Sequence, residues 1–248
     1  MAEKEASSPG YWQQSRDLLN GLVLVIPLLL VYQAGLFMFE GKTANGADLV
    51  LVVMNTLGLD ATALLWFNGA LIVGGVLAVA VLNRKRGFNP KIALPIAGES
   101  LVYALFLGTV ITWIMRQLPG FEGSLAAAQD QGGILARICI SFGAGVNEEF
   151  VFRLGMFAGG GALLARALQK GEQQSKQQIA PYLIACLVSS VLFSLAHYMG
   201  SEAFEVFSFV YRLLAGVLFC ALFWVRGFAV AVYTHAIYDV LVLVIYSR

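Results

Sequence analysis

The sequence predicts an all-α fold, a polytopic transmembrane helical bundle of about seven to eight spans. Composition is the first reason. Only 12% of residues are charged and 59% are hydrophobic, whereas about a quarter of a soluble chain is charged. The mean hydropathy of +0.77 points the same way. The second reason is length, since apolar runs of about 20 residues recur, enough to cross a hydrocarbon core of about 30 Å. The third is pattern. These runs are apolar all round, while barrel strands alternate in polarity.

Taken in order, residues 1–17 form a polar N-terminal tail, and 18–248 form the transmembrane domain. The run 18–39 is the first span, with Pro27 as a kink, and it is too long for a signal-peptide core. Residues 40–48 are a loop, and 49–60 are apolar but short and broken by Gly58, as in an interfacial or re-entrant piece. Spans follow at 61–82 and 92–115. The run 134–168 is too long for one straight crossing at about 1.5 Å per residue. Gly143 and Gly145 suggest a break there, with Asn147 capping a helix that opens at Glu148. The remaining spans are 181–198, 204–224 and 228–247.

Lys and Arg concentrate at 83–91 and at Arg166, Lys170 and Lys176, which places those loops in the cytoplasm. The N-terminus is then cytoplasmic as well. A net charge of +1 gives no case for nucleic-acid binding; the expected partner is the lipid bilayer. Cys139, Cys186 and Cys220 lie in apolar runs and read as small buried hydrophobes.

Function is sought in the ionisable residues at membrane depth, which normally face a bundle interior or a wet space. They are Glu99, Glu148, Glu149, Arg153, His197, Arg212, His235 and Asp239. Glu149 and Arg153 stand one helical turn apart with the acid first, the favoured order for an ion pair. Glu148 is rotated about 100° from Glu149, so the two cannot share Arg153 equally. Phe193 can pack on His197 one turn later, and the carboxyl of Asp239 can reach His235 in the same way. Glu99 and Arg212 are expected to pair with each other or with these residues. A carboxylate in low-dielectric surroundings is a better base than in water. With an imidazole sharing the water and another facing the oxyanion, these groups suffice for hydrolysis.

The stretches "EEFVFR" (148–153), "FSLAH" (193–197) and "HAIYD" (235–239) resemble the three motifs of the CAAX protease and bacteriocin-processing (CPBP, or Abi) intramembrane endopeptidases. The motif-bearing core is 134–245. The resemblance implies a glutamic peptidase in which Glu148 activates water with His197. Glu149 is then a supporting acid paired with Arg153, and His235 with the residue four later forms the oxyanion hole. The prenyl-protein branch has Asn in that last place, where an ionised Asp239 cannot donate; orienting His235 as an acceptor is the role expected of it.

The resemblance implies a membrane-anchored protein or peptide substrate, such as a leader peptide, a C-terminal sorting tail or a membrane-anchored regulator. The hydropathy and the Asp variant suggest a prokaryotic inner membrane. Glu148, His197 and His235 could also be read as zinc ligands, but a local HExxH signature is absent and no cofactor is expected. Two alternatives compete with the peptidase. One is a proton-coupled transporter that uses these groups as a relay, and the other a catalytically idle immunity or scaffold member of the family. A geometric demand follows from the topology. His197 lies near the end of one span and His235 early in another that runs the same way, so a shared site requires tilt, a broken helix or shifted boundaries.

Overall fold

The computed structural model describes residues 10–39, 89–118, 133–168, 179–199 and 202–246, with further positions at 56–58, 66, 69–70, 72–77 and 79–81. Among the described residues the secondary structure is almost entirely helical, with no strand. Six helices among the described residues are long and apolar enough to cross a membrane. The span expected at 61–82 lies mostly outside the described residues, apart from a shorter apolar helix, Ile72–Val81. The interfacial piece expected at 49–60 and the loops at 40–48, 83–88, 119–132 and 169–178 also lie largely outside them.

The polar N-terminal segment contains a short helix, α1 (Tyr11–Arg16). It hands over directly to α2 (Leu18–Met38), where the Asp17 carboxylate accepts from the Asn20 backbone N–H at 2.9 Å. That bond satisfies one of the donors every helix start leaves over. α2 continues through Pro27. Helix α3 (Ala93–Met115) is entered through a 3₁₀ turn, Pro90–Ile92, capped by the Asn89 side chain on Lys91 N–H at 3.1 Å. Proline suits such a first turn because its missing N–H would be unsatisfied anyway.

Helix α4 spans Ile134–Leu168 without interruption. It is α-helical over Ile134–Glu148, π-helical over Glu149–Gly160 and α-helical again over Gly161–Leu168. The break expected at Gly143 and Gly145 is therefore absent, and Asn147 lies inside the helix rather than capping one. The two glycines serve packing instead. A Cβ on Gly143 would fall 2.3 Å from the Tyr32 ring of α2, and one on Gly145 would fall 2.8–2.9 Å from Val232 and Ala236. The π-helical stretch, a form concentrated at functional sites, begins at the second glutamate.

The last three helices are α5 (Ala180–Ala196, extended by a 3₁₀ turn to Met199), α6 (Val206–Arg226) and α7 (Phe228–Val240, continued π-helically by Leu241–Tyr246). α6 turns into α7 at Gly227, whose φ of +89° is a conformation that favours glycine. α7 is the centre of the bundle, packed by α2, α3, α4 and α6. Its residues Ala229, Val230, Ala231, Val232 and Ala236 are fully buried, and their small or β-branched side chains let the surrounding helices approach closely.

A second polar cluster fixes α1 to this frame. Glu99 of α3 accepts from Tyr11 at 2.5 Å, Tyr103 at 2.8 Å and the Arg226 guanidinium, whose Nη2 donates at 2.7 Å. Arg226 also lies over the Trp12 ring at 3.6 Å and donates to Ser15 at 3.1 Å. The pairing expected between Glu99 and Arg212 does not form. Arg226, at the end of α6, stands nearer Glu99 and takes it, while Arg212 pairs with Glu202 at 2.8 Å. Burial and the carboxylate it donates to push the Tyr11 phenol up to about 12.

Candidate active site

Three helices deliver the ionisable residues. α4 supplies Glu148, Glu149 and Arg153 at the junction between its α-helical and π-helical parts. α5 supplies His197 at its end, and α7 supplies His235 and Asp239. All six come together. The Glu148 Oε2 atom lies 3.9 Å from His197 Nε2 and 3.8 Å from His235 Nε2. The demand set by the parallel spans is met by the way His197 folds back. Its Nδ1 lies 2.9 Å from the Phe193 carbonyl, one turn earlier. Helical side chains lean toward the N-terminus, and this contact carries the imidazole back along α5 toward Glu148.

The tautomers follow from these partners. A carbonyl only accepts, so His197 Nδ1 carries the proton, and in the neutral ring Nε2 presents a lone pair toward Glu148. His235 Nδ1 lies 2.8 Å from Glu149 Oε1, again an acceptor, so it too donates from Nδ1. The same Glu149 oxygen lies 3.2 Å from Arg153 Nη1. Glu149 therefore bridges Arg153 and His235, two partners where the sequence pattern suggested one. Asp239 lies 3.6 Å from His235 Nε2, longer than a hydrogen bond. The acceptor that orients His235 is Glu149, not the expected Asp239.

Aromatic rings hold the charged groups in place. Arg153 is fully buried, with its guanidinium 4.1 Å from the Phe193 centroid and 5.1 Å from that of Phe219. Phe193 also meets the His197 ring edge-on at 5.0 Å and the Phe152 ring at 5.4 Å. Phe219 of α6 stacks on His235 at 4.7 Å with 21° between the planes. The quadrupole of each ring attracts the cation. Ser189 donates to the Phe152 carbonyl at 2.6 Å, giving a partner to a backbone oxygen in the π-helical stretch. Sequence reasoning found the Phe193–His197 contact but missed Phe219 and Ser189, which lie in ordinary apolar runs with no spacing to single them out.

The zinc reading can be tested on the donor set. Ligands of a tetrahedral zinc ion at its usual bond lengths stand roughly 3.3 Å apart, and the separations above exceed that. Among the described residues no group of three or more His, Cys, Asp or Glu side chains is spaced to hold a metal ion.

Residues 130–241 match the family described as type II CAAX prenyl endopeptidase Rce1-like. That match agrees with the CAAX protease resemblance carried by the three motifs. The matched region contains every residue of the cluster, from Glu148 to Asp239. The matched region thus resembles the CAAX-type intramembrane proteases at family level, and the apolar helices make the chain an integral membrane protein. No curated protein and no solved structure gives a match.

Proposed function

We propose that this chain is an intramembrane endopeptidase that hydrolyses a peptide bond in a membrane-associated protein or peptide, with Glu148 activating the water. One observation carries the reading: a buried carboxylate oxygen faces two imidazole Nε2 atoms at 3.9 and 3.8 Å. Those separations are too long for direct hydrogen bonds and suit one water touching all three at about 2.8 Å.

Glu148 takes a proton from that water while the Nε2 lone pair of His197 accepts a hydrogen bond from the O–H that remains. The hydroxide attacks the scissile carbonyl carbon, forming a C–O bond and pushing the carbonyl electron pair onto oxygen. His235, in its doubly protonated form, donates from Nε2 to that oxyanion, with Nδ1 held on Glu149. Asp239, beside the same nitrogen, balances the imidazolium charge. The proton held by Glu148 then passes to the amide nitrogen as the C–N bond breaks. Preorganised donors of this kind supply a large share of catalysis. No metal takes part in these steps. The Lys/Arg cluster at 83–91 supports a cytoplasmic N-terminus, and the bilayer proposed is a prokaryotic inner membrane.

The test is a strain carrying Glu148→Ala, compared with its parent by membrane proteomics. A membrane-associated protein accumulating uncleaved, and rescued by the wild-type chain, is expected. Identical protein profiles in the two strains would sink the reading.

A further inference from the structure

Exposure differs across the cluster. Glu149 is fully buried and Glu148 1% exposed, whereas His197 is 20% and Asp239 24% exposed. Arg212, at 20%, and Glu202, at 33%, are exposed to a similar degree. Arg212 is set beside the end of α5 that bears His197, because the ring of Tyr198, the next residue, lies against its guanidinium.

Arg212 holds Glu202 by a two-pronged bond, Nη1 to Oε1 at 2.8 Å and Nη2 to Oε2 at 2.9 Å. The planar guanidinium fork matches a carboxylate in this way better than any other group. Tyr198, the residue after His197, lies against the fork with its ring 5.5 Å from the guanidinium carbon. The Tyr198 hydroxyl donates to the Glu205 carbonyl at 3.1 Å and its ring meets Phe204 at 5.1 Å. Arg212 is thus steadied from its own side by an aromatic ring. Glu202 belongs to the non-helical stretch 202–205 between α5 and α6, so its carboxylate can leave without unwinding a helix.

We propose that Arg212 is the anchor for a carboxylate on the substrate, and that Glu202 is a built-in competitor occupying it until the substrate arrives. The anchor rests on the peptidase reading for its purpose, since it positions the carbonyl to be attacked near His197. A carboxylate can come from a chain terminus or from an acidic side chain close to the scissile bond; both present the same two oxygens to the fork. Arg212 acts in binding, and Glu202 raises the concentration of substrate needed, because an intramolecular competitor acts at an effective concentration on the millimolar scale.

The test uses the full chain in lipid nanodiscs and three dansyl-labelled, N-palmitoylated pentapeptide probes. One ends in a free carboxylate, one in an amide, and one in an amide preceded by glutamate. Binding is measured in a Glu148→Gln background so that no probe is turned over, and cleavage is followed separately with Glu148 in place. The expected result is that a carboxylate probe binds about tenfold more tightly than the plain amide. Glu202→Gln should tighten that probe by about three- to tenfold and leave the amide unchanged. Arg212→Gln should abolish the difference, and Arg212→Lys, which keeps the charge and loses the fork, should restore part of it. Which carboxylate probe gains identifies the source. A pair that only braces the loop would shift all three probes alike in both variants; that result, or equal affinity of amide and carboxylate, overturns the proposal. Carboxylate preference without any cleavage would count against the peptidase reading alone.

Discussion

Gly145→Ala is the sharpest test of how the bundle positions its chemistry. The new Cβ would lie 2.8 Å from the Ala236 Cβ and 2.9 Å from both the Ala236 nitrogen and the Val232 carbonyl oxygen. None of those atoms can rotate aside. Carbon contacts become comfortable near 3.5 Å, so α4 and α7 must part by roughly 0.7 Å. Glu149 lies one turn beyond Gly145, and His235 immediately precedes Ala236. The 2.8 Å bond between Glu149 and His235 would then stretch to about 3.5 Å, beyond the hydrogen-bonding range. We expect overpacking to lower stability by about 1–3 kcal/mol. The turnover number should fall roughly 10- to 100-fold, as misplacements of this size do. The assay is initial-rate cleavage, in proteoliposomes, of the protein that accumulates in the Glu148→Ala strain, beside thermal unfolding in detergent. Gly143→Ala is the comparator, because its Cβ would meet the Tyr32 ring of α2 at 2.3 Å, away from His235. It should cost as much stability and far less turnover. A Gly145→Ala protein within twofold of wild-type turnover would refute the reasoning, as would equal catalytic loss in both variants.

Glu149→Gln should destabilise the protein by about 3–5 kcal/mol, since it leaves the fully buried Arg153 without its carboxylate; Glu148→Gln should abolish cleavage while the unfolding temperature stays near wild type. His197→Ala should cut turnover by about 100-fold or more with the fold intact, as read by kinetics and thermal unfolding together. A strong chelator should leave cleavage unchanged, and loss restored by added zinc would count against the metal-free steps. The Tyr11 phenol, raised above its ordinary value to about 12, contributes to docking of α1 fully below pH 10. That contribution disappears as pH climbs through 10 to 12, because only the neutral phenol donates to Glu99. Limited proteolysis of the N-terminal segment should show this alkaline release in the wild type and lose that step in Tyr11→Phe.

The bundle was legible because membrane helices announce themselves by composition and run length, properties that tertiary contacts do not alter. Spacing rules reached one turn along a helix, so they found Glu149 with Arg153, Phe193 with His197 and His235 with Asp239. They stopped where partners come from different helices. Nothing local connects Glu99 to Arg226, Arg212 to Glu202 or Glu149 to His235, and the first two pairings were accordingly assigned to the wrong partners or to none. The expected break at Gly143 and Gly145 failed for a related reason. Glycine marks both a loose backbone and a close approach, and only the neighbours Tyr32, Val232 and Ala236 decide between them. The π-helical stretch had no sequence signal; it lies where α4 packs against α5 and α7.

The placement of the two carboxylates on α4 also has a bearing on the order in which the chain is built into the bilayer. Each isolated charge at the middle of an inserting helix costs about 2.5–3.5 kcal/mol. Glu149 and Arg153 are separated by a single turn, so they can meet as soon as α4 coils, before any later helix has been synthesised. His235 lies 86 positions further along than Glu149 and arrives only with α7, the helix that α2, α3, α4 and α6 enclose. The half-built protein therefore carries its acid and its base-stabilising arginine through the membrane in a self-balanced state. The cluster of Glu148, His197 and His235 is complete only once α7 has been synthesised.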